Sequence, residues 1–273
     1  MASDLHTHTT FSDGSYTPEE LVAESKNIGL TYLAITDHDT VDGVKHLYEN
    51  RIFPVKGLKI IPGIEFSAEN PDHNVHLVGL NVDIYDGALS DMTNEILDAR
   101  WTRFSEMIEK LREKKYDIKE ADVLKIAGSS HSIGRSHIAR AMVKKGIFKS
   151  PGEAFEKVLG LGKPCYVPRY FPTVDEIVEV VHNAGGEVCL AHPGLVGDND
   201  LVRELCKKID AIEVYYPSHK PEQTDLYKSF ANEFGLKISG GSDFHGTASR
   251  FVNRLGEFTV ADEVAKQFYR EEI

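Results

Sequence analysis

Asp4-Leu5-His6-Thr7-His8, followed by Ser12-Asp13-Gly14, is the stretch on which the reading of the chain turns. Side chains alternate along a strand, so His6 and His8 face the same way. Two neighbouring imidazoles can share one metal ion. The Asp13-Gly14 turn brings a carboxylate back to the strand end. A single His-x-His is as often a surface pair as a ligand pair. This one gains weight because comparable clusters recur: Thr36-Asp37-His38-Asp39, Ala191-His192-Pro193 and Ser242-Asp243-Phe244-His245 each close a short apolar run.

Those runs read as strands at about 3–8, 32–35, 59–64 (ending in Glu65), 74–82 (with His76 near its start), 187–191, 211–215 and 237–239. Helices separate most of them. Thr17, Pro18 and Glu20 form an N-cap, a first-turn proline and a capping box, with Leu21, Val22, Ser25 and Ile28 on the inner face and Gly29 as the stop. Further helices are expected at 42–50, after the Thr173/Glu176 capping box, and near 199–208 and 221–234. Strand–helix–strand repetition implies parallel strands and right-handed crossovers. About seven such strands predict an α/β fold, a distorted (β/α)7 TIM-like barrel, with its chemistry at the C-terminal strand ends. Most candidate ligands fall there. His76 does not, and its strand is expected to run differently from its neighbours.

Residues 84–165 break this rhythm and read as helices without a strand: 95–115, 118–127, 137–145 and one begun by Ser150, Pro151 and Glu153. The expected organisation is a barrel of residues 1–83 and 166–273, with 84–165 inserted as an all-helical lobe over its mouth.

A chain of 273 residues is long enough for this architecture. No apolar run reaches bilayer-spanning length, and the N-terminus lacks a signal-peptide pattern, so a cytoplasmic location is expected. Cys165, Cys189 and Cys206 form no CxxC pair and are expected to be buried and unreactive. The net charge of −12 argues against a membrane surface or a long nucleic acid as partner. A small anionic substrate remains compatible, because bound divalent ions reverse the local field.

The strand ends collect His6, His8, Asp13, His38, Glu65, His76, His192, Asp243 and His245. Nine imidazoles and carboxylates exceed the needs of one ion. Without thiolates they suit manganese, zinc or iron. A cluster of two or three divalent ions is expected, with Glu65 best placed to bridge two of them.

The four motifs in this order resemble the polymerase and histidinol phosphatase (PHP) family of metal-dependent phosphoesterases, over nearly the whole chain outside the lobe. The resemblance implies a (β/α)7 barrel and a trinuclear site. His6, His8, Glu65 and Asp243 would hold one ion, Glu65, His76 and His192 a second, and Asp13, His38 and His245 a third. Asp13 stands where some members carry His. A hydroxide bridging two ions about 3.5–4 Å apart would attack phosphorus in line. Catalytic roles fall to His192, Asp13 and Asp243, with the first two as candidates for helping to protonate the leaving oxygen. No GxSxG nucleophile motif is present.

Gly134-Arg135-Ser136-His137 in the lobe is similar to a PHP subfamily with the same inserted lobe, which includes 3',5'-nucleoside bisphosphate phosphatases and a 5'-to-3' exoribonuclease. Gly162-Lys163-Pro164-Cys165-Tyr166 also resembles it, apart from Cys165, where a smaller residue is commoner. The resemblance implies that Arg135 and His137 grip a second phosphate. Lys163, Tyr166 and His219 are further substrate candidates, with Arg169, Arg250 and Arg254 behind them. Asp37 and Asp39 flank a ligand and are placed to orient it, Asp39 equally as a helix cap. His46, His73 and His182 read as surface, loop or packing residues, and His131, just before the Arg135 motif, reads either way.

The expected function is removal of the 3'-phosphate from a 3',5'-bisphosphonucleotide. The alternative is 5'-to-3' exonuclease action on short oligonucleotides. A histidinol-phosphate-type phosphomonoesterase and a non-catalytic metal-binding module rank lower.

Overall fold

The computed structural model describes residues 2–247 and 252–271. Its centre is an eight-stranded, nearly closed barrel. The strands are β1 (Ala2–Asp4), β2 (Leu30–Ile35), β3 (Lys59–Ala68), β4 (Val75–Leu80), β5 (Glu187–Leu190), β6 (Ala211–Tyr215), β7 (Lys237–Gly240) and β8 (Val260–Ala261). They neighbour one another in the order β7-β6-β5-β4-β3-β2-β1-β8.

Three departures from the expected topology bear on the site. The eighth strand is a two-residue segment that pairs antiparallel with β1; it is too short to read from sequence. Strand β4 is antiparallel to both β3 and β5, so its start lies at the rim where parallel strands end, and His76 reaches that rim. Strand β3 does not stop before Glu65. It pairs parallel with β2 through Pro62, then antiparallel with β4 to Ala68, so Glu65 sits mid-strand.

Strand β1 ends at Asp4, but the extended chain runs on past it. The His8 N–H donates to the Phe244 carbonyl at 2.9 Å and Thr7 bridges Phe244, which ties the two edges of the barrel together. Gly241 makes this closure possible: a Cβ there would lie 2.5 Å from the His6 nitrogen.

Outside the barrel pack α1 (Pro18–Asn27) and α2 (Asp42–Glu49). Helix α1 carries the expected capping box; its buried face is Pro18, Leu21, Val22 and Ser25, whereas Ile28 is exposed at the C-cap. The chain then enters α3 (Gly87–Glu113), α4 (Glu120–Ala127), α5 (Arg135–Lys144) and α6 (Pro151–Ala154) with a following π-helical turn. It returns through α7 (Val174–Asn183), α8 (Asn199–Leu205), α9 (Pro221–Phe234) and α10 (Asp262–Lys266).

The apolar residues sort into three groups. Leu5, Ile61, Val78, Cys189 and Ala211 lie in one that fills the barrel. A second joins barrel and surrounding helices. A third belongs to the lobe and contains Phe104, Met107, Leu111, Val123, Met142 and Leu159. Helix α3 spans the last two: Leu89 and Ile96 pack with the barrel group, and residues from Phe104 onward with the lobe. The packing thus changes within α3. All three cysteines are buried and free.

Candidate active site

All nine expected ligands converge on one rim of the barrel. His6, His8, Glu65 and Asp243 offer ligand atoms within 4.8 Å of one another; so do His8, Asp13, His38 and His245, and so do His38, Glu65 and His76. His192 joins through Nε2, 3.0 Å from Glu65 Oε1. The grouping differs from the set implied by resemblance in two ways. His8 stands between the first two groups, and His38 is shared between the last two.

The donor chemistry fits divalent ions. Glu65 is fully buried and lies among His6, His8, His38, His76 and His192. His8 Nε2 lies 3.1 Å from Asp243 Oδ1 and 3.4 Å from Glu65 Oε2, yet makes no hydrogen bond of adequate geometry; the same holds for His6 Nε2. Buried polar atoms without partners are costly. Here their lone pairs converge on common points, which a cation would occupy. Burial opposes charge on Glu65, but His38, His76 and His6 outweigh it and hold the carboxyl well below its usual range. Burial likewise disfavours a charged His6, but Glu213 and then Glu65 hold its pKa well above the usual value.

The outer supports were only partly readable from the sequence. Buried Glu213 accepts from His6 Nδ1 at 3.1 Å and from the His192 N–H at 2.6 Å. This is the carboxylate–histidine pairing that fixes ring orientation at metal sites. The second bond also holds His192 in a left-handed backbone conformation (φ 28°). Tyr216 donates to Asp243 Oδ2 at 2.9 Å. Asp37 accepts from the Thr9 N–H, the Thr9 hydroxyl and the Ser12 hydroxyl, so it orders the loop before Asp13. Asp39 does not orient His38; it is buried between Arg100 Nε and Arg169 Nη2, each 2.7 Å away.

Between barrel and lobe lies a cavity of about 460 Å³. Asp13, His38, His76 and His245 line one part of it. Arg100, Arg103, Arg135, Arg140 and Arg169 line another. Arg100 and Arg169 are paired with Asp39. Arg103 and Arg135 have no ion pair among the described residues. Arg103 is buried, and its Nε and Nη2 lack partners. Burial, then the charge of Arg135, presses its pKa down to about 9, so it stays cationic at neutral pH. Both guanidinium groups lie over the Tyr166 ring, at 5.0 and 5.7 Å.

Arg135 and Tyr166 thus face the cavity, but Tyr166 supports two guanidinium groups. Three other expected substrate contacts lie outside the cavity lining. His137 does not line the cavity: it is buried, accepts from the Gly134 N–H, and bonds the Ser12 backbone, with burial bringing its pKa down to about 4. Lys163 is exposed and outside the cavity lining. His219 spends both ring nitrogens on the Val214 carbonyl and the Gly194 N–H, away from the cavity. Arg169 is on the cavity wall, Arg254 is exposed elsewhere, and Arg250 lies outside the described residues.

Four other histidines are not in the ligand groups, although His73 lines the cavity. His46 pairs with Glu19 and His182 with Asp210; His73 Nδ1 meets the Val196 carbonyl, and His131 is exposed.

Comparison with known proteins agrees with this geometry. The PHP domain model matches residues 4–239. The chain is 34% identical to the 5'-3' exoribonuclease Rnm of Salmonella typhimurium, over 89% of this chain and 84% of that one. It is 30% identical to the 3',5'-nucleoside bisphosphate phosphatase of Chromobacterium violaceum, over 89% and 86%. A solved chain from Bifidobacterium adolescentis, assigned as a metal-dependent phosphoesterase, superposes with a TM-score of 0.85 at 32% identity, covering 97% of this chain and 94% of that one.

Proposed function

The chain belongs to the PHP domain family and is a metal-dependent phosphoesterase; from that premise we propose that it hydrolyses the 3'-phosphate of a 3',5'-bisphosphonucleotide. The observation that carries this reading is the shared cavity. One wall presents metal ligands and the other presents Arg103 and Arg135 without carboxylate partners. A substrate with two phosphates satisfies both walls.

In this reading His6, His8, Asp13, His38, Glu65, His76, His192, Asp243 and His245 hold two or three divalent ions around the 3'-phosphate. When bound, the ions supply Lewis acidity toward water and the phosphoryl oxygens. Glu213 keeps the His6 ring turned so that Nε2 faces the cluster. Tyr216 holds the Asp243 carboxylate at its other oxygen. Arg135 and Arg103 take the 5'-phosphate, where a guanidinium fork suits phosphate oxygens. Gripping that end fixes the distance to the reacting phosphorus. Water adds to phosphorus, and the 3'-oxygen leaves with a proton, giving a nucleoside 5'-monophosphate and phosphate.

A second reading has a specific basis in the 34% identity to the Salmonella exoribonuclease. The same bond, between phosphorus and a 3'-oxygen, joins the first nucleotide to the rest of a 5'-phosphorylated oligonucleotide. Steady-state kinetics with 3',5'-bisphosphoadenosine against adenosine 3'-monophosphate tests the main reading. A kcat/KM at least tenfold higher for the bisphosphate supports it. Equal values would remove the role given to the arginine wall.

A further inference from the structure

The loop carrying Asp13 is held from two sides. The barrel takes its donors: Asp37 accepts from Thr9 and Ser12. The lobe takes its carbonyls. Ser130 Oγ donates to the Phe11 carbonyl at 2.9 Å, and Arg140 Nη1 to the Asp13 carbonyl at 3.2 Å. The His137 ring bonds the Ser12 backbone. Ser132 Oγ donates to the His38 carbonyl at 2.6 Å. Ser130, Arg140 and Ser132 thus meet the carbonyls of Phe11 and Asp13 in one ligand loop and the carbonyl of a second ligand, with the buried His137 beside Ser12. Ser130, Ser132 and His137 are buried, so these contacts are built into the packing of lobe on barrel.

We propose that residues 130–140 of the lobe are a positioning element for the metal site of His8, Asp13, His38 and His245, acting through the backbone of the two ligands Asp13 and His38. Without the lobe these carbonyls lose their partners, and the Asp13 carboxylate is no longer fixed relative to His38 and His245. The group of His6, His8, Glu65 and Asp243 does not depend on it in this way: Glu65 is set by β3, and His6 by Glu213; the group of His38, Glu65 and His76 shares only His38 with the lobe-held set. The lobe would therefore tune the Asp13 site most, the site that shares His38 less, and the site of His6, His8, Glu65 and Asp243 least. This inference rests on the metal cluster proposed above, but not on the choice of substrate.

The test is manganese titration of the full chain, reading free ion by electron paramagnetic resonance, with substrate absent. Arg140→Met and Ser132→Ala are each expected to weaken about tenfold or more the class of bound manganese that Asp13→Ala removes. A class left intact by Asp13→Ala should change less in both variants. Adding Arg140→Met to Asp13→Ala should change nothing further, as expected for residues acting on one site. Arg140→Lys, which keeps a donor, should recover part of the affinity. Wild-type binding of every class in both single variants would overturn the proposal. So would an equal loss across all classes, which would mean general damage to the lobe. A wild-type chain that binds no manganese would overturn the cluster and this inference together; normal binding with no hydrolysis of the bisphosphate would overturn only the substrate assignment.

Discussion

Glu213 Oε1 lies 3.1 Å from His6 Nδ1, while its other oxygen accepts the His192 N–H. One buried carboxylate thus orients two expected ligands that follow different strands, β1 and β5. Glu213→Ala is expected to lower metal affinity and kcat by about 10–100-fold, and Glu213→Gln by less, because an acceptor remains. Excess manganese should restore part of the activity. Unchanged manganese affinity in Glu213→Ala would contradict this role.

Arg103 is expected to bind the phosphate that does not react. Replacing it with Met keeps much of the stem packing against Tyr166 and removes the charge. KM for the bisphosphate should rise about 10–100-fold, equivalent to about 1.5–3 kcal/mol for a charged hydrogen bond. KM for adenosine 3'-monophosphate should barely move. Parallel losses for both substrates would place Arg103 outside phosphate recognition.

Asp39 holds Arg100 and Arg169 in the wall of the cavity. Burial alone would raise its pKa, but the two arginines outweigh this and bring it down to about 2. A depressed carboxylate pKa stabilises the fold above the unfolded value of 3.8, and that contribution is lost as pH falls through about 2. Asp39→Ala leaves two buried cations unpaired, so unfolding in denaturant should show a loss of about 3–5 kcal/mol. A change under 1 kcal/mol would mean that solvent or another anion already screens the pair.

Metal affinity should rise with pH. His6 has a pKa held well above its usual value, so a cation binding at neutral pH displaces a proton. Between pH 6 and pH 8 the manganese dissociation constant should fall, by up to about tenfold per pH unit for each proton displaced. A pH-independent constant over that range would show that His6 is already neutral.

Most of the candidate ligands could be singled out in the sequence because they sit beside an apolar run and within a short, polar, recurring motif. His76 fitted once its strand was allowed to run the other way, and its antiparallel pairing on both sides explains why. Glu213 was missed although its neighbours Ala211, Ile212 and Val214 are all apolar. A lone carboxylate within such a run is a signal for a buried partner. Arg103 was hidden in a long amphipathic helix, where a charge normally marks the solvent face. Its place directly before Phe104, on the buried stripe with Met107 and Leu111, was the available clue. His137 could not be resolved by motif alone. It occupies the third position of α5, and only the docking of that helix decides whether it meets the cavity or the Ser12 loop.

The most direct test of the central claim is product analysis after incubation of untagged enzyme with 3',5'-bisphosphoadenosine and manganese. Attack at the 3'-phosphate, with the 5'-phosphate held by Arg103 and Arg135, predicts inorganic phosphate and adenosine 5'-monophosphate in equal amounts. Adenosine 3'-monophosphate as the product would reverse the two phosphate sites. The absence of any phosphate release, with manganese bound, would contradict the bisphosphate assignment.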